Sequence, residues 1–302
     1  MIRSRCFVLG LLLACGDSDK DPVDAAVPAD AARAVDAVVD AQVSRSDAAA
    51  SDAVASDAAG DMPGLVRLPP ANGGLDYQLG GAYAPPQGVT IVARDRTAQP
   101  APGLYNVCYV NGFQAQESEA DMWLAQDPEL VLRDSGGEPV IDRDWNEMLL
   151  DIGSPQKRAQ LAEIVGGWIA GCASAGFDAV EIDNLDSYTR SGGRLLEEDA
   201  VQFLALLSMR AHAEGLAIGQ KNASELAGRR RELGTDFAVS EECARYDECE
   251  AYITAYGAAV LMVEYRRGDF QKGCGAHPDF SIVLRDLDLV TPGSSGYVFE
   301  GC

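Results

Sequence analysis

Histidine is scarce in this 302-residue chain, where only His212 and His277 occur. Two histidines do not make a histidine-rich metal centre. Neither ends a strand-like segment, and no G-x-S-x-G turn is present, which argues against an esterase or deacetylase built on a serine triad. The 8 cysteines include no C-x-x-C pair, so neither a zinc ribbon nor a redox dithiol is encoded. No glycine-rich phosphate turn follows the first strand-like segment, as an open dinucleotide-binding sheet would require. The glycines of Gly166-Gly-Trp-Ile-Ala-Gly171 fall inside a helical pattern, where close packing explains them. Positive charge is short as well: 24 Lys and Arg stand against 47 Asp and Glu, for a net charge of −23. That balance argues against a nucleic-acid binder, which needs Lys and Arg gathered on one face. No cofactor and no metal are expected.

What is present begins with Arg3 and Arg5, an apolar run from Cys6 to Ala14, and Cys15. The run is too short to span a bilayer and has the form of a secretory signal. Leu12-Leu13-Ala14-Cys15 resembles the lipobox of bacterial lipoproteins, so residues 1–14 are expected to be removed and Cys15 to carry lipid. Residues 15–62 are almost wholly Ala, Asp, Val and Ser without an aromatic, and cannot bury enough apolar surface to offset their ordering entropy. They read as a disordered tether. Eleven Asp against Lys20, Arg33 and Arg45 leave residues 16–62 at −8, and the leader adds two positive charges, so the portion from Pro63 onward carries −17 of the net −23. The predicted product is an exported, lipid-anchored protein on a bacterial membrane, facing the periplasm or the cell exterior, with one acidic folded domain over residues 63–302.

Within that domain, Leu75–Leu79, Gly88–Ala93, Tyr105–Val110, Gly176–Asp183, Leu216–Lys221, Phe237–Glu241, Ala259–Tyr265 and Phe280–Leu284 read as strands. Met148–Ile152 reads as an extra short strand or a loop. Helical spacing marks Gln156–Ala175, Glu197–Glu214, Ser224–Leu233 and Tyr246–Tyr256, the first two closed by Gly176 and Gly215. Strands alternating with helices over about 240 residues suit a closed (β/α)8 TIM barrel, with an open doubly wound sheet as the runner-up. Export permits disulfides. Cys243 and Cys249 flank a turn-like Ala-Arg-Tyr-Asp-Glu and form the first expected pair. Cys274 with Cys302, and Cys108 with Cys172, are the remaining pairings.

Polar residues end the strands: Tyr109, Asp183 with Asn184, Lys221 with Asn222, Glu241 with Glu242, and Glu264 with Tyr265. In a barrel these ends converge on one face. Asp183 and Glu241 on separate strands, with Lys221 between them in strand order, fit glycosidic bond cleavage. One carboxyl must donate a proton to the leaving oxygen while the other stays ionised to meet the anomeric carbon. Tyr109, Tyr188, Trp145 and Tyr265 offer faces on which a sugar can stack.

These residues carry a resemblance. Cys108-Tyr-Val110, Leu150-Asp-Ile152, Gly176 to Tyr188, Gln220 to Leu226, Phe237 to Cys243 with Tyr246 to Cys249, and Val263-Glu-Tyr265 resemble the successive motifs of glycoside hydrolase family 114, from about Leu75 to the C-terminus. The resemblance implies a TIM barrel with endo-α-1,4-polygalactosaminidase activity on galactosamine-containing exopolysaccharide by a retaining route. By position it makes Asp183 the nucleophile and Glu241 the acid/base. Tyr109, Asn184, Lys221, Asn222, Glu264, Tyr265, Gln78 and Asp151 are then the expected substrate contacts. The sequence departs from the family pattern at Asp76, Ser240 and Glu242, in Asn111–Glu117, and in Arg94–Gln99, which lacks the family's clear acidic strand end. An extra carboxylate at Glu242 would favour a cationic amino sugar. The expected partners are an amino-sugar polysaccharide and, through Cys15, a membrane, with the protein a monomer. The competing function is a non-catalytic carbohydrate-binding surface lipoprotein on the same barrel.

Overall fold

The computed structural model describes residues 66–302. The signal segment, the Cys15 lipid site, the tether and the first residues of the expected domain lie outside the described residues.

Eight strands run parallel in chain order: β1 (Gly74–Gln78), β2 (Val89–Asp95), β3 (Tyr105–Asn111), β4 (Ala179–Asp183), β5 (Ala217–Lys221), β6 (Phe237–Glu241), β7 (Val260–Glu264) and β8 (Ser281–Arg285). Each pairs with the next, and β9 (Phe299–Gly301) adds antiparallel to β8, completing a 9-stranded sheet. Period-2 alternation decides which side chains go inside. Tyr77, Val107, Ala179, Ala217, Val239 and Val263 fill the interior. Val180, Ile182 and Ile218 face outward against the helices. Gly219 faces the ring of Phe237 so closely that a Cβ there would lie 2.7 Å from it.

The outer layer is incomplete on one side. Among the described residues no helix joins β1 to β2 or β2 to β3. Helix α1 (Pro155–Ala175) precedes β4 and α2 (Glu197–Ala213) precedes β5. The first of these shows why the chain turns helical where it does. Ser154 accepts the Lys157 N–H at 3.3 Å, Pro155 takes a position that needs no N–H partner, and Gly176 closes the helix at φ 95°. The expected helix over Ser224–Leu233 is 3-10 as far as Arg229 and α only from Arg230. The one expected over Tyr246–Tyr256 starts later, as α3 (Cys249–Tyr256), because Asp247 sits at φ 61° and separates it from a turn at Cys243–Tyr246. Helix α4 (Arg267–Ala276) precedes β8.

The sheet stops short of closing by backbone pairing, since β1 and β8 lie side by side without a ladder. Arg285 of β8 spans the seam. Its guanidinium donates to the carbonyl of Tyr77 and lies 3.1 Å from Asp76 Oδ1, with both side chains sealed from solvent. Disulfides join Cys108 to Cys172, tying β3 to α1, Cys243 to Cys249 beside the end of β6, and Cys274 to Cys302. The segment between β3 and α1 carries a small antiparallel sheet of Gln114–Ala115, Ile141–Asp142 and Glu147–Leu149, so the expected extra strand forms but starts at Glu147.

Candidate active site

The C-terminal ends of the strands open into a cleft of about 500 Å³ lined by Tyr109, Asp183, Lys221, Glu241 and Tyr265. All five share the inward parity of their strands. Immediately beyond β4, β5 and β6 the backbone turns through the left-handed region at Asn184 (φ 65°), Asn222 (φ 50°) and Glu242 (φ 57°). Asparagine enters that region with little penalty, whereas glutamate does so at a cost of order 1 kcal/mol. The turns leave Asp183, Lys221 and Glu241 as the last inward side chains of their strands.

Lys221 organises the pair. Its Nζ, on a side chain only 2 % exposed, lies 3.2 Å from Asp183 Oδ1 and 3.0 Å from Glu241 Oε2. It also sits over the rings of Tyr77 and Tyr109, 5.6 and 5.9 Å from their centroids. Burial works against its charge, but Asp183, Glu241 and Glu181 together raise its pKa well above the ordinary value. Burial likewise opposes ionisation of Asp183. The Lys221 ammonium, the Tyr109 hydroxyl donating at 2.7 Å and the Asn184 N–H outweigh it, and the carboxyl is held below its usual range. Glu241 accepts from the Tyr265 hydroxyl and, at 3.0 Å, from Asn222 Nδ2, while Asn222 Oδ1 accepts the Glu241 N–H at 2.8 Å. Burial, and then the neighbouring carboxylates, keep both Tyr109 and Tyr265 protonated well above the ordinary tyrosine pKa, so each remains a donor.

Not every expected contact reaches the cleft. Tyr109, Asn184, Lys221, Asn222 and Tyr265 line it with Asp183 and Glu241. Gln78, Asp151 and Glu264 do not. Gln78 has the outward parity of β1 and is buried in the seam, donating to Asp76 at 2.7 Å and accepting from Arg94 at 2.9 Å. Asp151 is tied to Lys157 and to the Gly153 N–H. Glu264 alternates with the inward Val263 and Tyr265, so it points outward, is buried, and accepts the Ala244 N–H at 2.8 Å. Glu242 is also turned away, paired with Arg245 at 2.6 Å. Tyr188 donates to Glu225 instead of offering its face to a sugar in the cleft.

Other residues stand in the cleft that the strand-end reading passed over. Asp95, the last residue of β2, lines it, so that strand does end in an acid there; its carboxylate accepts from Thr97. Glu147 reaches in from the inserted sheet, accepting from Asn111 Nδ2 at 2.8 Å. Burial, then Asp183, Asp142 and Glu119, push its carboxyl up to about 7 against the pull of the Asn111 bond. Trp145, one of the expected stacking faces, stands at the same lip, 62 % exposed. Period-2 parity along Ile91, Ala93 and Asp95 would have located Asp95. Glu147 had no such signal. Among the described residues no group of three or more His, Cys, Asp or Glu side chains is placed to hold a metal ion.

A family profile described as "Glycoside-hydrolase family GH114" matches residues 55–302. The chain belongs to glycoside hydrolase family 114. Solved structures agree in fold. Aspergillus fumigatus Ega3, crystallised in complex with galactosamine, superposes with a TM-score of 0.64 at 22% identity, covering 79% of this chain and 99% of that one. The glycoside hydrolase domain of PelA from Pseudomonas aeruginosa gives 0.51 at 16% identity, covering 74% of this chain and 98% of that one. Comparison with curated proteins gave no match. This member of family 114 is therefore a glycoside hydrolase on a TIM-barrel-like fold.

Proposed function

We propose that this family 114 hydrolase cleaves internal α-1,4 bonds of a galactosamine-containing exopolysaccharide with retention of configuration, Asp183 acting as nucleophile and Glu241 as acid and then base. The observation that carries the reading is the single lysine shared by two carboxylates at the mouth of the barrel. Because Lys221 Nζ touches both, the two facing oxygens lie at most about 6 Å apart, a limit that accommodates the ~5–5.5 Å spacing of retaining glycosidases. Asp183, held ionised, suits attack on the anomeric carbon. As the C1–O bond breaks, Glu241 gives its proton to the leaving oxygen and Asp183 bonds to C1. A water then attacks C1 and passes its proton to Glu241, and Asp183 leaves with the electron pair of the ester bond. Lys221 offsets negative charge on both carboxyls. Support for an amino-sugar substrate comes from the family and from the galactosamine bound to Ega3. Following the first-formed anomer by proton NMR tests the stereochemistry: the α product should appear before mutarotation, and a β product appearing first would contradict the assignment.

The three disulfides are consistent with export. We propose that Cys15 bears the lipid that fixes the enzyme to a membrane. The Cys15→Ser protein should then move from the membrane to the soluble fraction, and unchanged partitioning would refute the anchor.

A further inference from the structure

Glu147 is a partly shielded carboxylate in the cleft with no cation paired to it among the described residues. The two basic side chains lining the cleft are already committed, Lys221 to Asp183 and Glu241, and Arg190 to Asp142 and Asp186, both at 2.7 Å. Glu147 is half-buried and accepts from Asn111, and among the described residues no other side chain donates to it. A carboxyl partly stripped of water and crowded by other acids gains most from a positive ligand. Two residues away on the same turn, Trp145 is 62 % exposed and contributes little to the fold's own core, although the turn is fixed by Asn146 at φ 59°. An indole face beside an unpaired carboxylate matches a sugar ring that carries an ammonium group: the ring's C–H face stacks on the indole and the cation meets the acid.

We propose that Trp145 and Glu147 form a subsite for an amino-sugar residue with a free ammonium group, next to the catalytic pair. The inference rests on the hydrolase reading of the same cleft and goes beyond it by assigning the discrimination between free and N-acetylated amine to one carboxylate. N-acetylation removes the charge, so an acetylated sugar keeps the stacking and loses the ion pair.

Calorimetric titration of the Asp183→Asn protein with oligomers of α-1,4-linked galactosamine, fully de-N-acetylated or fully N-acetylated, tests this. Adding Glu147→Gln, which preserves shape, should weaken the de-N-acetylated oligomer by about tenfold or more, the loss expected for one charge-assisted contact, and the acetylated one by less than about twofold. Adding Trp145→Ala should weaken both. Equal weakening of the two oligomers by Glu147→Gln, no weakening of either, or a parent protein that binds neither would overturn the subsite. Turnover by the unmodified enzyme separates the two readings. Intact discrimination with no release of reducing ends would remove the hydrolase and keep the subsite, while normal turnover without discrimination would do the reverse.

Discussion

Lys221 Nζ lies 3.2 Å from Asp183 Oδ1 inside the barrel mouth, and that contact keeps a buried carboxyl ionised. Lys221→Met removes the cation while retaining the stem. Burial, which favours the protonated acid, then prevails at Asp183. The ionised nucleophile is thus lost at a higher pH than in the wild type. The acidic limb of kcat/KM should shift upward and kcat fall by about 100-fold or more. A pH–rate profile checks both, and an unmoved acidic limb would refute the coupling.

Glu181 lies beneath the catalytic pair, fully buried, with Tyr77 donating to one oxygen and the other without a hydrogen-bond partner among the described residues. Burial dominates over the opposing pull of Lys221 and Tyr77 and raises its carboxyl from 4.5 to about 7. An acid whose pKa rises on folding binds protons more tightly in the folded state, so its contribution is complete below about pH 4.5 and is lost as pH climbs through 7. The loss is roughly 3 kcal/mol at most. In Glu181→Gln, unfolding free energy measured in urea should fall less steeply between pH 4.5 and 7 than in the wild type. Parallel curves would contradict the linkage.

Asp76 and Arg285 meet at the seam where the sheet fails to pair. Asp76→Ala would leave the buried guanidinium with only the more distant Asp286, at 3.6 Å, and backbone carbonyls, and should cost about 3 kcal/mol, towards the lower end for a buried ion pair broken on one side. Denaturant titration measures it. A change under about 1 kcal/mol would mean that solvent reaches the seam.

Much of this was legible in the sequence because alternation is local. Inward parity at Tyr77, Val107, Val239 and Val263 fixes the strands, and the same parity carries Asp183, Lys221, Glu241 and Tyr265 to one rim. Applied strictly, it also sends Gln78 and Glu264 outward. Their polarity at a strand end is not enough, since a buried outward carboxylate can be satisfied by an amide such as Ala244 N–H. Glu147 was not legible. Its place over the rim depends on how the chain between β3 and α1 folds back, a long-range arrangement without a periodic mark. The seam was equally hidden, since nothing near Arg285 in sequence announces Asp76 as its partner.

The account stands most directly on reducing-end release from a de-N-acetylated galactosamine polymer by the wild type, Asp183→Asn and Glu241→Gln proteins, each shown to be folded. It predicts that the wild type shortens the polymer from within and that either substitution lowers the rate by about 1,000-fold or more. Undiminished release by either variant, or none by the wild type, would contradict it.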